Sequence, residues 1–251
     1  MNPKIQRALF YLSLFSLWAW IAYMKFWPNY LFPSPKGVLE TMRLGFADHS
    51  FQIGIRRSLE RIAIGYALSM AIGIPLGLLT ARIRWLDHTL GSLVIGLQTL
   101  PSICWLPAAL LWFGLTDGAI LFVVIMGSTL AISIGTDDAV KNLPPIYVKA
   151  ALTMGVRGFR LYKDVIFPAA LPGIVSALKQ GWSFAWRSLM AGELLFVSPG
   201  LGHLLQMGRD LNDISMVAAV MIIIMALGWS VDRFVFSALE ERIRYRRGMK
   251  A

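Results

Sequence analysis

Charge is scarce in this chain of 251 residues: Asp and Glu number 14, and all charged side chains together make up 15%. An ordinary soluble domain carries about 25%. Hydrophobic residues reach 57%, and the mean hydropathy is +0.62. The composition excludes a typical water-soluble globule and points to a chain that lives in a bilayer. Cysteine is limited to Cys104, which excludes an intrachain disulfide. The three histidines, His49, His88 and His203, stand far apart, with no metal-ligand spacing. The sequence lacks Gly-x-x-x-x-Gly-Lys-Ser/Thr, so this chain does not bind ATP through a P-loop, and it lacks His-Glu-x-x-His and Gly-x-Ser-x-Gly. No small-residue cleavage site follows the apolar run Ala8–Met24, which therefore reads as a retained membrane helix and not a signal peptide.

What is present is a series of apolar stretches. About 20 mostly apolar residues cross the hydrocarbon core, which is ~30 Å thick. Six stretches qualify, at roughly 7–27, 60–81, 89–113, 118–136, 169–194 and 214–236, the third interrupted by Pro101 and Pro107. Backbone polar groups in lipid must be satisfied within the segment, so these are helices. The short alternating segments of a barrel are absent from the sequence.

The net charge of +10 could suggest nucleic acid, but the cations cluster at the ends of the apolar stretches, as topology signals do. With six spans, one side holds Lys4, Arg7, Arg82, Arg84, Lys141, Lys149, Arg157, Arg160, Lys163, Arg242, Arg244, Arg246, Arg247 and Lys250. The other holds Lys25, Lys36, Arg43, Arg56, Arg57 and Arg209. Fourteen against six places both termini in the cytoplasm. Pro28–Ser58 is then an external loop. Within it, Val38, Met42 and Phe46 recur every four residues, which suggests either a short amphipathic helix on the membrane surface or a plain packed connector. Trp18, Trp20, Trp27 and Tyr30 read as interface or lipid-facing aromatics. Met216, Met221 and Met225 read as helix packing.

The fifth stretch carries unusual polarity: Lys179, Gln180, Trp182, Ser183, Trp186, Arg187 and Glu193. A charge at the bilayer centre costs ~2.5–3.5 kcal/mol or more, so such residues face a bundle interior or water. Lys179, Ser183 and Arg187 repeat every four residues, on one helix face. This stripe, with Trp182 and Trp186 beside it, suits a small anion with an organic tail, or nitrate. The alternative is purely structural, with Arg187 paired to Glu193 or Asp117 and Lys179 snorkelling. Gln98, Thr99 and Ser102 lie at the Pro101 interruption, where a broken helix exposes backbone groups, so they either line the pathway or flank a packing kink.

Residues 137–168 form a basic loop between the fourth and fifth stretches. Asp137 and Asp138 close the fourth helix, and Pro144-Pro145 stops its continuation. Ile146–Thr153 can then form two helical turns after Pro145. Ala150 and Ala151 are small enough for another surface to approach, Gly155 suits a reversal of the chain, and Pro168 restarts a helix at the membrane. Lys149-Ala150-Ala151, three residues, Gly155, nine residues, then Val165-Ile166-Phe167-Pro168 resembles the cytoplasmic loop with which the permease subunit of a bacterial ABC importer grips its ATPase. In that family the loop reads Glu-Ala-Ala, then Gly, then Ile-x-Leu-Pro, and Lys149 replaces the glutamate.

The resemblance covers nearly the whole chain and is to the nitrate, sulfonate and taurine importer group. It includes Leu31-Phe-Pro-Ser-Pro35, Ser58-Leu-Glu-Arg61, Gly65-Tyr66, Gly73-Ile-Pro-Leu-Gly77, Leu97-Gln-Thr-Leu-Pro101, Trp105-Leu-Pro107, Trp112-Phe-Gly-Leu115, Pro199-Gly-Leu-Gly202 and Asp232-Arg233 ahead of Glu240–Arg247. It implies an all-α integral membrane protein of about six helices with the type I ABC importer (MetI-like) core, five helices behind a peripheral first one. Residues 1–58 would be the first helix and external segment, 59–236 the core with the 137–168 loop, and 237–251 a basic cytoplasmic tail. It further implies a permease that is not itself an enzyme, in the bacterial inner membrane. A homodimer is implied, with two ATPase subunits carrying ATP and magnesium, and a soluble external binding protein. Tyr147, Lys149, Ala150, Ala151, Met154, Gly155 and Pro168 are the expected docking residues; Lys179, Trp182, Ser183, Trp186, Arg187, Gln98 and Ser102 line the expected pathway. No cofactor or metal is expected on this chain. An ion-coupled secondary transporter, expected to show related halves, and an integral membrane enzyme are the rival readings; the sequence shows no internal repeat.

Overall fold

The computed structural model describes residues 3–28, 31–196 and 198–246. Tyr30, Arg247 and Lys250 lie outside them, as do the side chains of Lys4, Arg244 and Arg246. Every regular element described is helical. Five helices are long and apolar enough to cross a membrane: Ile5–Met24, Ser50–Arg82, Asp117–Lys141, Leu161–Leu195 and Ile214–Ile243. A sixth span forms if the bent pair Arg84–Gln98 and Ser102–Phe113 counts as one, its limbs meeting at 101°.

We number the helices α1 (Pro3–Met24), α2 (Pro35–Ala47), α3 (Ser50–Arg82), α4 (Arg84–Gln98), α5 (Ser102–Phe113), α6 (Asp117–Lys141), α7 (Pro145–Thr153), α8 (Leu161–Leu195), α9 (Leu201–Asp210), α10 (Ile214–Val231) and α11 (Ser237–Arg246). Single π-helical stretches interrupt α4 at Asp87–Gly91, open α8 at Leu161–Ile166 and join α10 to α11 at Asp232–Phe236. The wider turn before Pro168 relieves the clash that a proline ring makes with the carbonyl four residues back. The helix therefore begins before Pro168 instead of restarting at it.

Other boundaries also differ from the sequence pattern. Helix α3 begins at Ser50, eight residues before the expected end of the external loop. The Asp48 carboxylate accepts from the Ser50 amide at 2.9 Å, and that hydrogen bond holds its carboxyl below the usual range. Phe51 and Gly54 are buried, so the first turns have a core to join. Helix α6 runs past Asp137 and Asp138 to Lys141, because the Lys141 ammonium pairs with Asp137 one turn back at 2.7 Å and a cation suits a helix C-terminus.

The chain divides into two compact units, Met1–Ser58 with Glu193–Ala226, and Leu59–Gly192 with Leu227–Ala251. In the first, α2 is N-capped by Ser34, whose hydroxyl accepts from the Gly37 amide at 3.1 Å, with Pro35 at the first turn. Trp18 donates its indole N–H to the Pro33 carbonyl at 3.0 Å, which ties α1 to the turn ahead of α2. Gly45 leaves room for the Phe51 ring; a Cβ there would lie 2.8 Å from it.

The second unit is built on small residues, as membrane helices that pack without a hydrophobic drive require. Gly73 and Gly77 let α3 touch the backbone of α6: a Cβ at Gly77 would lie 2.4 Å from the Ser133 carbonyl oxygen. On α8, Gly173 and Gly181 leave room for the side chains of Ala139 and Ile132 of α6. Several of the polar atoms trapped by this packing find partners, while the Thr129, Thr136 and Ser188 hydroxyls are buried without one among the described residues. The Ser128 hydroxyl donates to the Val124 carbonyl at 2.7 Å and lies 2.6 Å from the Ser69 hydroxyl, and the Tyr66 hydroxyl donates to the Leu178 carbonyl at 2.7 Å.

Candidate functional site: a cavity at a broken helix

Pro101 removes a backbone donor where α4 ends, and the chain restarts as a 3-10 turn, Ser102–Trp105, before α5 continues. The 101° bend brings this break against α6 and α8. A cavity of about 260 Å³ opens there, lined among others by Gln98, Thr99, Ser102, Trp105, Phe184 and Arg187. Gly127 of α6 forms part of its wall, and a Cβ at that position would lie 2.0 Å from the Ser188 hydroxyl. The Thr99 hydroxyl donates to the Gly96 carbonyl at 2.7 Å, closing the end of α4.

Arg187 is the one charged residue of this lining. Its Nε donates to the Ser183 carbonyl at 3.1 Å, and the guanidinium lies 4.5 Å from the centre of the Phe184 ring. Among the described residues it has no carboxylate partner. The two acids that could have neutralised it are engaged elsewhere. Asp117 takes two bonds from Arg61, at 2.8 and 3.2 Å. Glu193 is fully buried, and its carboxylate accepts from the Ser58 hydroxyl at 2.7 Å and from the Gly202 amide at 2.9 Å.

The structure divides the polar stripe of α8. Lys179 forms an ion pair with Asp232 of the last π stretch at 3.0 Å. Trp182 stacks on Trp186 with centroids 5.9 Å apart and meets Tyr66 edge-on at 5.3 Å and Phe236 at 6.3 Å. These residues make an aromatic and ionic seam, whereas Arg187, Gln98 and Ser102 share the cavity. Ser183 is exposed, and its hydroxyl is turned back toward the Lys179 carbonyl at 3.4 Å. Phe184 and Trp105 were missed in the sequence, since an aromatic inside an apolar run carries no signal of its own.

The 145–168 loop presents a second site. Helix α7 ends on Gly155, whose φ of +80° is the left-handed conformation glycine adopts without strain. Gly155 donates to the Leu152 carbonyl at 3.0 Å and Val156 to the Ala151 carbonyl at 3.0 Å, the paired bonds of a Schellman motif. Ala151 is buried against its own chain, while Ala150 faces outward with Tyr147, Lys149 and Met154. Ile146, Met154 and Phe159 expose 66%, 82% and 71% of their surface. Pro168 is half-buried in the first turn of the α8 helix proper.

Glu193 was noted in the sequence as one more charge of the fifth stretch, yet it anchors the first unit. Ser58 bridges it to the Leu201 amide, which donates to the Ser58 hydroxyl at 2.8 Å, and the carboxylate sits at the N-terminus of α9, where negative charge is favoured. Gly200 and Gly202 admit it: a Cβ at either would lie 2.5–2.6 Å from Glu193 atoms. Glu193→Ala strands the Ser58 hydroxyl and the Gly202 amide, and is expected to destabilise the protein by about 2–5 kcal/mol. Glu193→Gln keeps an acceptor and should lose less than half of that; thermal unfolding in detergent reads both.

Residues 73–245 match the family described as binding-protein-dependent transport system inner membrane component, and the chain belongs to that family. It is 34% identical over 194 residues to a putative ABC transporter permease protein of Methanocaldococcus jannaschii, covering 77% of this chain and 73% of that one. It is 28% identical over 212 residues to the nitrate import permease protein NrtB of Synechocystis, covering 81% and 77%. A chain of the MetNI methionine ABC transporter, solved in inward-facing conformations, superposes with a TM-score of 0.69 at 19% identity, covering 77% of this chain and 96% of that one, a likeness of fold. The all-helical, MetI-type architecture implied by the sequence motifs is thus the architecture of the chain.

Proposed function

We propose that this chain is the membrane-spanning permease of an ATP-driven importer, and that two copies enclose a pathway for a small anion of the nitrate, sulfonate or taurine class. A soluble binding protein delivers the anion from outside. The 146–168 loop engages a separate ATPase, which holds ATP and magnesium, and both termini face the cytoplasm. ATP binding brings the ATPases together, moves the docking helices and opens the pathway outward; hydrolysis resets it inward.

The observation that carries the solute class is Arg187, a guanidinium with no carboxylate partner among the described residues, in a cavity at a helix break. A cation at bilayer depth costs ~2.5–3.5 kcal/mol or more unless water or an anion compensates it. Its planar fork matches an oxyanion, to which it can give two parallel hydrogen bonds. Gln98, Thr99 and Ser102 add neutral polar groups, and Trp105 and Phe184 offer apolar surface to an organic tail. The nitrate permease among the relatives supports an oxyanion. On the loop, exposed Ile146, Tyr147 and Met154 beside Lys149 support a partner groove that is apolar with acidic groups at its rim.

Vesicles holding the chain, its ATPase and its binding protein should accumulate at least one of nitrate, methanesulfonate and taurine when ATP is supplied, and should not accumulate choline. Uptake driven by an ion gradient without ATP would favour a secondary transporter instead.

A further inference from the structure

Both roots of the 142–160 loop are tied to one short piece of chain, the elbow at 82–91. At the first root, the Lys141 ammonium bridges Asp87 at 2.6 Å and Asp137 at 2.7 Å. At the second, the Arg82 guanidinium lies 4.5 Å from the centre of the Tyr162 ring, in the π stretch that opens α8. A small cavity of about 180 Å³ lies at the clasp, with Thr80, Asp87, Ser133 and Lys141 in its wall. The loop itself is turned back at Gly155 and Gly158, both at positive φ, so its two arms run to those two roots.

The elbow takes in the start of α4 and its π stretch. From Asp87 to Gln98 the limb extends about 17 Å. Its far end is the break at Thr99–Pro101, where Gln98 and Ser102 line the cavity with Arg187. Loop root, elbow, limb and break therefore form one mechanical chain, in which the regular helical stretch Ser92–Gln98 carries a displacement of the elbow to the break.

We propose that the Lys141–Asp87 clasp is a positioning device that couples the docking loop to the pathway: displacement of the loop pulls the elbow, and α4 carries the movement to the break beside Arg187. This rests on the importer reading. It predicts a class of variants that hold the ATPase and bind ATP yet leave the pathway still.

Cys104, the sole cysteine of the chain, is exposed in the 3-10 turn just past the break and serves as a native reporter. In the full chain assembled with its ATPase in lipid nanodiscs, the maleimide labelling rate of Cys104 is measured with and without trapping by ATP and vanadate. Wild type is expected to change its rate on trapping. Asp87→Asn and Lys141→Met are expected to lose that change while retaining the ATPase at the wild-type ratio. The exchange Asp87→Lys with Lys141→Asp keeps the ionic link, with Asp137 still in reach, and is expected to regain it. An ATP-dependent change that persists in both single variants overturns the proposal, as does its absence in an assembled wild type. Variants that lose the change only in proportion to lost ATPase reduce the clasp to ordinary structural support, and also overturn it. A wild type that retains no ATPase fails at the importer reading, which is visible before any labelling is done.

Discussion

An Arg187→Gln chain is expected to assemble normally and to import its solute at least about thirtyfold more slowly, the effect of removing one side of a charged contact worth about 2 kcal/mol or more. Assembly survives because the guanidinium holds no acid in place: its bonds are to the Ser183 carbonyl and the Phe184 ring, both within one turn of its own helix. Arg187→Lys keeps the charge without the planar fork and should fall between the two. Lys179→Met provides the contrast. Its ammonium is matched by Asp232 at 3.0 Å, so the change should lower thermal stability and affect transport only through the amount of folded protein. Uptake into vesicles, normalised to assembled complex, separates these cases. Equal uptake by wild type and Arg187→Gln would remove the anion assignment.

The second large effect is expected at Gly155. A β-branched residue at φ +80° is a strong outlier, and the left-handed conformation alone costs roughly 1–2 kcal/mol for an L-residue. No atom lies within 4 Å of a Cβ built there, so Gly155→Val acts on the backbone and not through a clash. The chain can relieve that strain only by undoing the Schellman bonds of Gly155 and Val156, which frees the end of α7. The helices in the membrane do not depend on those bonds. The variant should therefore fold at wild-type yield and lose most of its ATPase on purification. Gly155→Asn, which tolerates the left-handed region, should retain more of it.

Much of the architecture was readable because membrane helices declare themselves by length and apolarity. The loop was readable for a different reason: Pro145 favours a helix start and Gly155 permits the left-handed turn that ends it, whereas Pro168 lies inside a helix that has already begun. The break at Pro101 was legible, but its 101° angle was not, since a missing donor marks an interruption without setting its direction. The stripe on α8 shows the limit of periodicity. Residues four apart drift about 40° around a helix, so Lys179 and Arg187, two such steps apart, point about 80° away from each other. That is enough for one to meet Asp232 and the other the cavity. The partners of Asp117, Asp87 and Glu193 were out of reach because each comes from a distant segment, and charge alone does not name it. The early start of α3 was hidden by Arg56 and Arg57, which interrupt the apolar pattern while sitting exposed on a continuous helix.

The most direct measurement is co-purification of this chain with an ABC ATPase co-expressed with it. The importer account predicts that the wild-type chain retains the ATPase through detergent extraction and that Gly155→Val releases it at unchanged membrane yield. A wild-type chain that elutes without the ATPase, and that moves solute in vesicles on an ion gradient alone, would contradict the account.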